Sequence, residues 1–308
     1  MCRSEYILTF TRFLILIFCF QFFSVQAQDY EWWNEKHGWD RLSPWPTYMK
    51  IAPKYMGPNA LPVPELKTGR VPETLSLVNA SEVHFGKGNT TYNLFQHLLL
   101  PFVKGKVAAE LIVVPIEYYQ TDTLARDRMM SRDKDGKGFC GGDLYFGSMF
   151  QLAKENGRLP DLMLSFNIKT ASGTMMKAAR YTDTPGYFFD LSVSKTLGES
   201  EKAKSRVFGL IGFYSWQTYS SKHFQDDAFL YGLGYILTKG ILEIKPSLGG
   251  YIGYKNNGDR PVTGRLSVKT TRESALNFLL HVQRGFIDYP YTSVRLGINW
   301  TPGFNLYL

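Results

Sequence analysis

Apolar and polar residues alternate with a period of two along most of the chain after residue 82. In LMLSFNIK (162–169), one face carries Leu162, Leu164, Phe166 and Ile168, and the other carries Met163, Ser165, Asn167 and Lys169. YFFDLSVSK, AFLYGLGYIL, ILEIKPSLGGYIGY, VTGRLSVKT and YTSVRLGINW repeat the pattern. Such alternation predicts β-strands with one apolar face.

The pattern predicts about twelve strands. They lie near 82–88, 92–103, 106–119, 142–154, 161–170, 186–197, 205–217, 227–238, 241–254, 261–271, 275–284 and 291–300. Most are about ten residues or longer, enough to cross a bilayer at a tilt, whereas ordinary strands average about five or six. Their polar faces carry charges and glycine, which suits a wet interior. We therefore predict an all-β fold, a transmembrane antiparallel up-and-down β-barrel, with a soluble all-β protein as the alternative.

Connection lengths and aromatic residues extend this prediction. Lys104-Gly105 and Lys239-Gly240 are tight, whereas the predicted loops 120–141 and 171–185 are long. In bacterial barrels short turns face the periplasm and long loops face outward. Aromatic residues near strand ends predict two girdles at the membrane interfaces. These residues are Tyr118, Tyr119, Tyr214, Trp216, Tyr251, Tyr254, Tyr289, Tyr291 and Trp300.

The first 27 residues predict export. Arg3 and Arg12 precede or flank the apolar run 13–23, and Val25-Gln26-Ala27 fits a signal-peptidase site. Cleavage would leave Cys140 as the one cysteine, so no disulfide is available. It would also leave 33 basic and 26 acidic residues, a charge of 33 − 26 = +7. Scattered basic charge favours lipopolysaccharide or anionic solutes as partners and disfavours nucleic acid.

With these features in place, residues 82–300 resemble the outer-membrane β-barrels of Gram-negative bacteria, in the style of the uncharacterised barrels common in Bacteroidetes. The resemblance rests on general barrel features and implies the outer membrane as location and the barrel-assembly machinery as a partner. One departure is the end of the chain. Such barrels usually end on an aromatic residue, but here TPGFNLYL (301–308) follows Trp300. Phe304, Leu306 and Leu308 would then serve assembly, or the tail is an extra periplasmic segment.

Few residues suggest catalysis or metal binding. Ser220-Ser221-Lys222-His223 is the closest serine–histidine pairing, and a solvated polar loop is its preferred interpretation. RDKDGKGFCGGD (132–143) lacks the regular spacing and closing glutamate of a calcium loop. The stretch 169–190 suits either ligand contact at the outer mouth or a loop folded inward. We predict no catalytic residues, no metal site and no cofactor.

Charged residues on the polar face would line the pore. These are Lys169, Asp190, Glu243, Lys245, Arg265, Lys269, His281 and Arg295. Because buried charge is costly unless paired or hydrated, the interior is either a water-filled passage with a cationic bias or a closed network of ion pairs.

The segment 28–81 is rich in tryptophan and proline. Trp32, Trp33, Trp39 and Trp45 could form a sugar-binding platform, a membrane anchor or a packing element. Beside a barrel, we predict an irregular, extended plug or periplasmic cap whose indole N–H groups bond to polar interior residues.

The leading functional hypothesis is a channel or binding protein for small polar or anionic solutes, partly plugged by residues 28–81. A hydrolase that modifies lipid A or phospholipid is the alternative. A structural or assembly partner in the cell envelope is the second alternative.

Overall fold

The computed structural model describes residues 29–220, 222–272 and 274–302. The chain divides into an amino-terminal unit that ends at Gly38 and a second unit, Trp39–Leu308, that contains the strands. The predicted signal peptide (1–27) lies outside the described residues, as do Phe304, Leu306 and Leu308 of the predicted tail.

Strands dominate the described residues. Two helices occur in this part of the chain, α1 (Glu31–His37) and α2 (Thr123–Arg128), together with 3-10 turns at Trp45–Tyr48 and Met176–Ala178. The strands are β1 (Ser76–Gly86), β2 (Asn89–Val103), β3 (Val107–Val113), β4 (Glu117–Thr121), β5 (Lys137–Cys140), β6 (Leu144–Ala153), β7 (Asp161–Lys169), β8 (Gly186–Glu199), β9 (Ala203–Gln217), β10 (Gln225–Lys239), β11 (Leu242–Gly253), β12 (Val262–Thr270), β13 (Leu276–Ile287) and β14 (Tyr291–Trp300).

The strands form a closed antiparallel barrel. Each strand pairs with its neighbours, and β1 pairs with both β14 and β2, which closes the ring. Strands β3 and β4 pair with successive parts of β2, and β5 and β6 pair with β4 and β3 respectively. When β3 with β4 and β5 with β6 are counted as single broken strands, the described residues form twelve strands around the ring. The predicted fold is confirmed.

Some element bounds differ from the predictions. The predicted strand 106–119 is interrupted at 114–116, where Pro115 has no N–H to donate to a strand partner. The first strand begins at Ser76, six residues before the predicted start at 82. The amino-terminal segment contains helix α1 and a 3-10 turn where an irregular path was expected.

The two faces of the barrel wall have opposite chemistry. On β7 and β8 the apolar side chains of Phe166 and Leu191 are exposed, whereas Asn167 and Asp190 are buried. Water-soluble folds bury the apolar face instead. The exposed aliphatic and aromatic outer face and the polar inner face are typical of a bilayer-spanning barrel.

Connections between strands differ at the two ends of the barrel. The end called here the short-turn end carries the connections 104–106, 154–160, 200–202, 240–241 and 271–275. The opposite, long-loop end carries the connections 87–88, 122–136, 170–185, 218–224, 254–261 and 288–290. Gly105 and Gly240 adopt positive φ angles of 58° and 55°, as tight turns require. Among the described residues, no helix has the length and apolar character needed to cross a membrane.

Candidate functional site

Residues 51–73 run inside the ring of strands, and we call them the inner segment. Near residue 51 the segment contacts Trp216, the penultimate residue of β9 at the long-loop end. At residue 70 it reaches Asp161, the first residue of β7 at the short-turn end. The segment therefore passes from one end of the barrel to the other before β1 begins.

Aromatic side chains of the wall hold the first half of the inner segment. Each donates a hydrogen bond to a backbone carbonyl of the segment, which lacks regular strand partners there. The four bonds join Trp216 Nε1 to Ile51 O (3.3 Å), Tyr291 Oη to Met56 O (2.8 Å), Tyr289 Oη to Pro58 O (3.0 Å) and Tyr251 Oη to Leu61 O (3.1 Å).

These bonds show that the predicted aromatic girdles were largely wrong. Six of the nine residues are buried on the inner face: Tyr119, Tyr214, Trp216, Tyr251, Tyr289 and Tyr291. Tyr254 and Trp300 are exposed, and Tyr118 is half-buried. The period-two alternation predicts this inward orientation correctly. Tyr251 lies an even number of positions from Lys245, and Tyr291 from Arg295, so each tyrosine shares the inner face with the charged residue of its strand.

Charged side chains hold the second half of the inner segment. The guanidinium of Arg265 donates to the carbonyls of Val63 (2.6 Å) and Pro64 (3.0 Å). The ion pairs join Arg295 to Glu65 (2.6 Å) and Glu82 (3.1 Å), Lys67 to Glu110, and Arg70 to Asp161 and Glu155 (3.2 Å). Buried charge is costly unless it is paired, and these ion pairs, within the wall and between the wall and the segment, supply the partners.

The connection 170–185 folds into the long-loop end. Arg180 and Tyr181 are buried and both contact the Glu117 carboxylate, at 2.7 Å each. Burial alone would lower the pKa of Arg180, but the carboxylate outweighs it, so the pKa lies above its usual range. Burial and then Glu117 raise the pKa of Tyr181 well above its usual value. Of the two sequence interpretations, the structure has the loop folded inward.

Arg180 also lies against the inner segment. A Cβ atom at Gly57 would come within 2.8 Å of the Arg180 guanidinium carbon, so glycine is needed for this close approach. The backbone N–H of Gly57 donates to the Ala179 carbonyl at 2.8 Å. Asn59 adds a bond from its side-chain amide to Glu117 at 2.7 Å. The inward loop and the inner segment are therefore joined at the long-loop end.

The eight residues predicted to line the pore all lie on strands, and their side chains differ in burial. Lys169, Asp190, Arg265, His281 and Arg295 are buried, whereas Glu243, Lys245 and Lys269 are partly exposed. Lys169 pairs with Asp143 at 2.7 Å, Lys269 pairs with Glu243 at 3.3 Å, and Asp190 accepts a hydrogen bond from Ser165. Pore lining itself stays a prediction.

The four predicted plug tryptophans fall in both units. Trp32 and Trp33 belong to α1 of the amino-terminal unit, where the Trp33 ring lies 5.1 Å from the His37 ring. In the barrel unit, the guanidinium of Arg132 lies 5.4 Å from the Trp39 ring and 4.8 Å from the Trp45 ring.

The expected indole bonds to the interior do not hold for Trp39. Its Nε1–H donates to the Ser43 carbonyl of its own segment at 2.8 Å. Arg132 belongs to the connection 122–136, so Trp39 and Trp45 lie at the long-loop end. The role of the four tryptophans as a plug or periplasmic cap stays a prediction.

The stretches considered in the sequence for calcium binding (132–143) and catalysis (220–223) make other contacts in the fold. Asp143 pairs with Lys169, and Asp133 accepts a bond from Tyr119 at 2.9 Å, so the two acids are spread over separate contacts. Ser220 Oγ accepts the backbone N–H of His223 at 3.4 Å, and Ser221 lies outside the described residues. Cys140 is buried, and its Sγ lies 3.4 Å from Glu117.

The fold joins a serine and a histidine that sequence reasoning missed. His84 of β1 lies between Ser293 of β14 and Asn93 of β2, with Nδ1 2.6 Å from Ser293 Oγ and Nε2 2.8 Å from Asn93 Oδ1. The Asn93 amide N–H points to Glu82 at 3.4 Å. That orientation presents Oδ1 to Nε2–H and leaves Nδ1 to accept the serine proton. His84 and Ser293 are 209 positions apart in the sequence, so no local motif could reveal their contact.

A cavity of about 110 Å³ lies between the inner segment and the wall. Its lining combines apolar side chains with the charged groups described above. His84, Phe95, Tyr145, Phe188 and Arg295 are among the lining residues. The Arg295 guanidinium lies 3.5 Å from the centre of the Phe95 ring. The interior is therefore narrow but not completely filled.

Known proteins resemble the chain in fold. No protein-family model matches it, and no curated protein matches it. An outer membrane channel from Pseudomonas putida F1 shares 12% identity over 78% of this chain and 98% of that chain, with a TM-score of 0.50. The KdgM porin shares 8% identity over 73% and 98%, at a TM-score of 0.42. At such identity the first likeness shows the barrel fold alone, and the second is too distant to carry an argument.

Proposed function

We propose that the chain is an outer-membrane channel for small polar solutes and that the inner segment closes it. The observation that carries the proposal is the binding of the inner segment along its whole length by buried side chains of the wall. A chain held in this way fills the space through which a solute would pass. The name of the Pseudomonas putida channel supports the same class of function.

Location and orientation belong to this proposal. The apolar outer face suits a bilayer, and short turns of bacterial barrels face the periplasm, so the long-loop end would face outward. Export would use the signal peptide at 1–27. The Bacteroidetes style of the barrel also stays a prediction from the sequence.

Opening requires that the inner segment leave at least part of the interior. Its departure would release Arg265 and Arg295 from their partners in the segment and expose them, with Lys245 and Lys269, to the passage. Positive charge on the wall would favour anionic solutes. The closed state, in contrast, offers a solute few free charges, because many wall charges are paired either to the segment or to each other.

The experiment is single-channel recording in planar bilayers with wild-type protein and with a variant lacking residues 28–75. We expect a larger and steadier conductance from the deletion, and charge reversal at Arg265 and Lys269 in that variant should shift selectivity toward cations. Folded protein that conducts in neither form would exclude a channel. Equal conductance in both forms would keep the channel and exclude closure by the segment.

A lipid-modifying hydrolase is the second candidate, favoured by the Ser293–His84–Asn93 contact. A histidine that accepts a serine proton and is oriented by a third group is the arrangement that activates serine nucleophiles. Ser293 is only 1% exposed, so lipid would need the inner segment to move first. Labelling of the protein by a fluorophosphonate, lost in Ser293→Ala, would support this candidate. Unlabelled protein and unchanged masses of phospholipid and lipid A would exclude it.

A further inference from the structure

Asp226 is a buried carboxylate without a hydrogen-bond donor. It lies on β10 at the long-loop end, its side chain is fully buried, and neither carboxylate oxygen has a partner among the described residues. An ionised carboxylate in such a place is costly unless a proton or a cation accompanies it. Other buried acids have partners: Glu82, Glu110 and Asp161 pair with arginine or lysine, and Asp190 accepts a hydrogen bond from Ser165.

A second acid lies beside it. Asp259, in the connection 254–261, is also fully buried and close enough to Asp226 for the two charges to repel each other. The strand register explains the proximity. Ala228, two residues along the same face of β10, pairs with Gly253 of β11, and a Cβ atom at Gly253 would lie 2.3 Å from Asp259 Oδ2. The register therefore places both carboxylates in the same region, at the ends of β10 and β11 that face the long loops.

The connection 254–261 wraps around Asp259. Backbone N–H groups of Lys255 (2.9 Å), Asn256 (3.1 Å) and Asn257 (3.2 Å) donate to its carboxylate. The side-chain oxygen of Asn257 is buried and has no partner among the described residues. The loop thus fixes the Asp259 carboxylate, and Asn257, whose backbone contacts that carboxylate, also carries the buried amide oxygen.

We propose that Asp226, Asp259 and Asn257 bind a calcium ion at the long-loop end. Carboxylate and amide oxygens are the ligands that this hard cation prefers, and loops of irregular geometry suit calcium better than the strict octahedron of magnesium. The cation would neutralise the two acids and tie the connection 254–261 to β10. The described residues contain no cluster of three or more acidic, histidine or cysteine side chains for a metal, so the amide and backbone oxygens or water would complete the shell.

Lys255 is the competing partner. Its ammonium acts on Asp226 and lies 3.5 Å from Thr218 Oγ1. If Lys255 or a proton neutralised Asp226, calcium would have no effect on the protein. The site also reaches the inner segment, because the Gly258 carbonyl accepts the backbone N–H of Lys54 at 3.3 Å. Calcium binding by Asp226, Asp259 and Asn257 does not require that the barrel conduct.

The test is thermal unfolding of purified, lipopolysaccharide-free protein in detergent, with EGTA or with 0.1 to about 10 mM CaCl₂. Sites of this kind bind with a Kd of about 10⁻⁴ to 10⁻³ M, so we expect Tm to rise by a few degrees across the range. Asp226→Asn should abolish the calcium response, and in EGTA it should melt above the wild type because it removes the unpaired charge. Asp227→Asn is the matched control and should respond as the wild type, because the Asp227 carboxylate accepts hydrogen bonds from the Gln225 side chain.

Terbium luminescence gives a readout independent of stability. Trp216 pairs with Asp226 in the strand register, so a bound lanthanide should be sensitised by tryptophan and displaced by calcium. The signal should be lost in Asp226→Asn and weakened in Asn257→Ala, which keeps both acids should the first variant fail to fold. Wild-type protein without calcium-dependent Tm and without calcium-displaceable luminescence would overturn the proposal. An equal response to magnesium would overturn the choice of calcium.

Discussion

The two halves of the inner segment are held by different forces. Residues 51–61 are bound chiefly through backbone carbonyls by neutral aromatic donors such as Tyr251 and Tyr291, within the buried apolar cluster around Tyr214. Their charged contacts are the Lys54–Asp288 ion pair and the bond from Asn59 to the buried Glu117 carboxylate. Residues 63–73 are bound by charged groups, among them Arg295 and Glu110. Neutral bonds in an apolar setting are insensitive to salt, whereas partly exposed ion pairs, such as those of Arg70 with Glu155 and Asp161, are screened by it. Added salt should therefore weaken the attachment of residues 63–73, near the short-turn end, more than that of residues 51–61.

The largest effect should come from the buried charge network. Arg295→Gln would leave Glu82, which is buried, without its partner, and should lower the free energy of unfolding by about 3 kcal/mol. The matched control is Lys269→Gln, because the Lys269–Glu243 pair is partly exposed and should contribute under about 1 kcal/mol. Urea unfolding in detergent measures both. Equal losses would mean that burial does not distinguish the two pairs.

A smaller effect is expected from the aromatic donors. Tyr251→Phe, Tyr289→Phe and Tyr291→Phe each keep the ring and remove one hydrogen bond to the inner segment, and each should cost about 1 kcal/mol. Their losses should not change between low and high salt. Tyr254→Phe is the control, because Tyr254 is exposed and its hydroxyl donates to Gln225 rather than to the segment. A strong salt dependence in the first three variants would contradict the contrast between the halves.

The smallest effect concerns access to the segment. In a Cys140→Ser background, N-ethylmaleimide should react severalfold faster with Val71→Cys at 0.5 M than at 0.05 M NaCl, because salt screens the neighbouring Arg70 pairs. Ala60→Cys lies in the neutral half and should react slowly at both salt concentrations. Faster reaction at both positions would point to release of the whole segment.

The alternation of apolar and polar residues was sufficient to predict the barrel wall but not the contacts inside the barrel. The parity of Asp190 and Arg265 follows from a period of two, so the strand count and both faces could be predicted. The aromatic residues were wrongly assigned to girdles at the membrane interfaces, because their position near strand ends was given more weight than the face of the strand on which they lie. The contact of Ser293 with His84 and the proximity of Asp226 and Asp259 depend on the register between strands and could not be predicted from local sequence.

The path of the inner segment was beyond prediction for a different reason. Proline-rich sequence predicts an extended chain without indicating where that chain lies. Its position is set by individual contacts, such as Leu66 against Gly232 and Gly57 against Arg180, where only the absence of a side chain on the glycine leaves room.

The central claim is that the barrel opens only when the inner segment moves, and a disulfide between the segment and the wall tests it most directly. A Cβ atom at Gly232 would lie 3.1 Å from Leu66 Cγ, close to the roughly 3.0 Å that separates Cβ from the distal sulfur in a disulfide. Leu66→Cys with Gly232→Cys should therefore bridge, with each single variant as control. We predict that the oxidised double variant shows no openings in planar bilayers and that reduction restores wild-type openings. Wild-type openings from the fully oxidised protein would contradict the account.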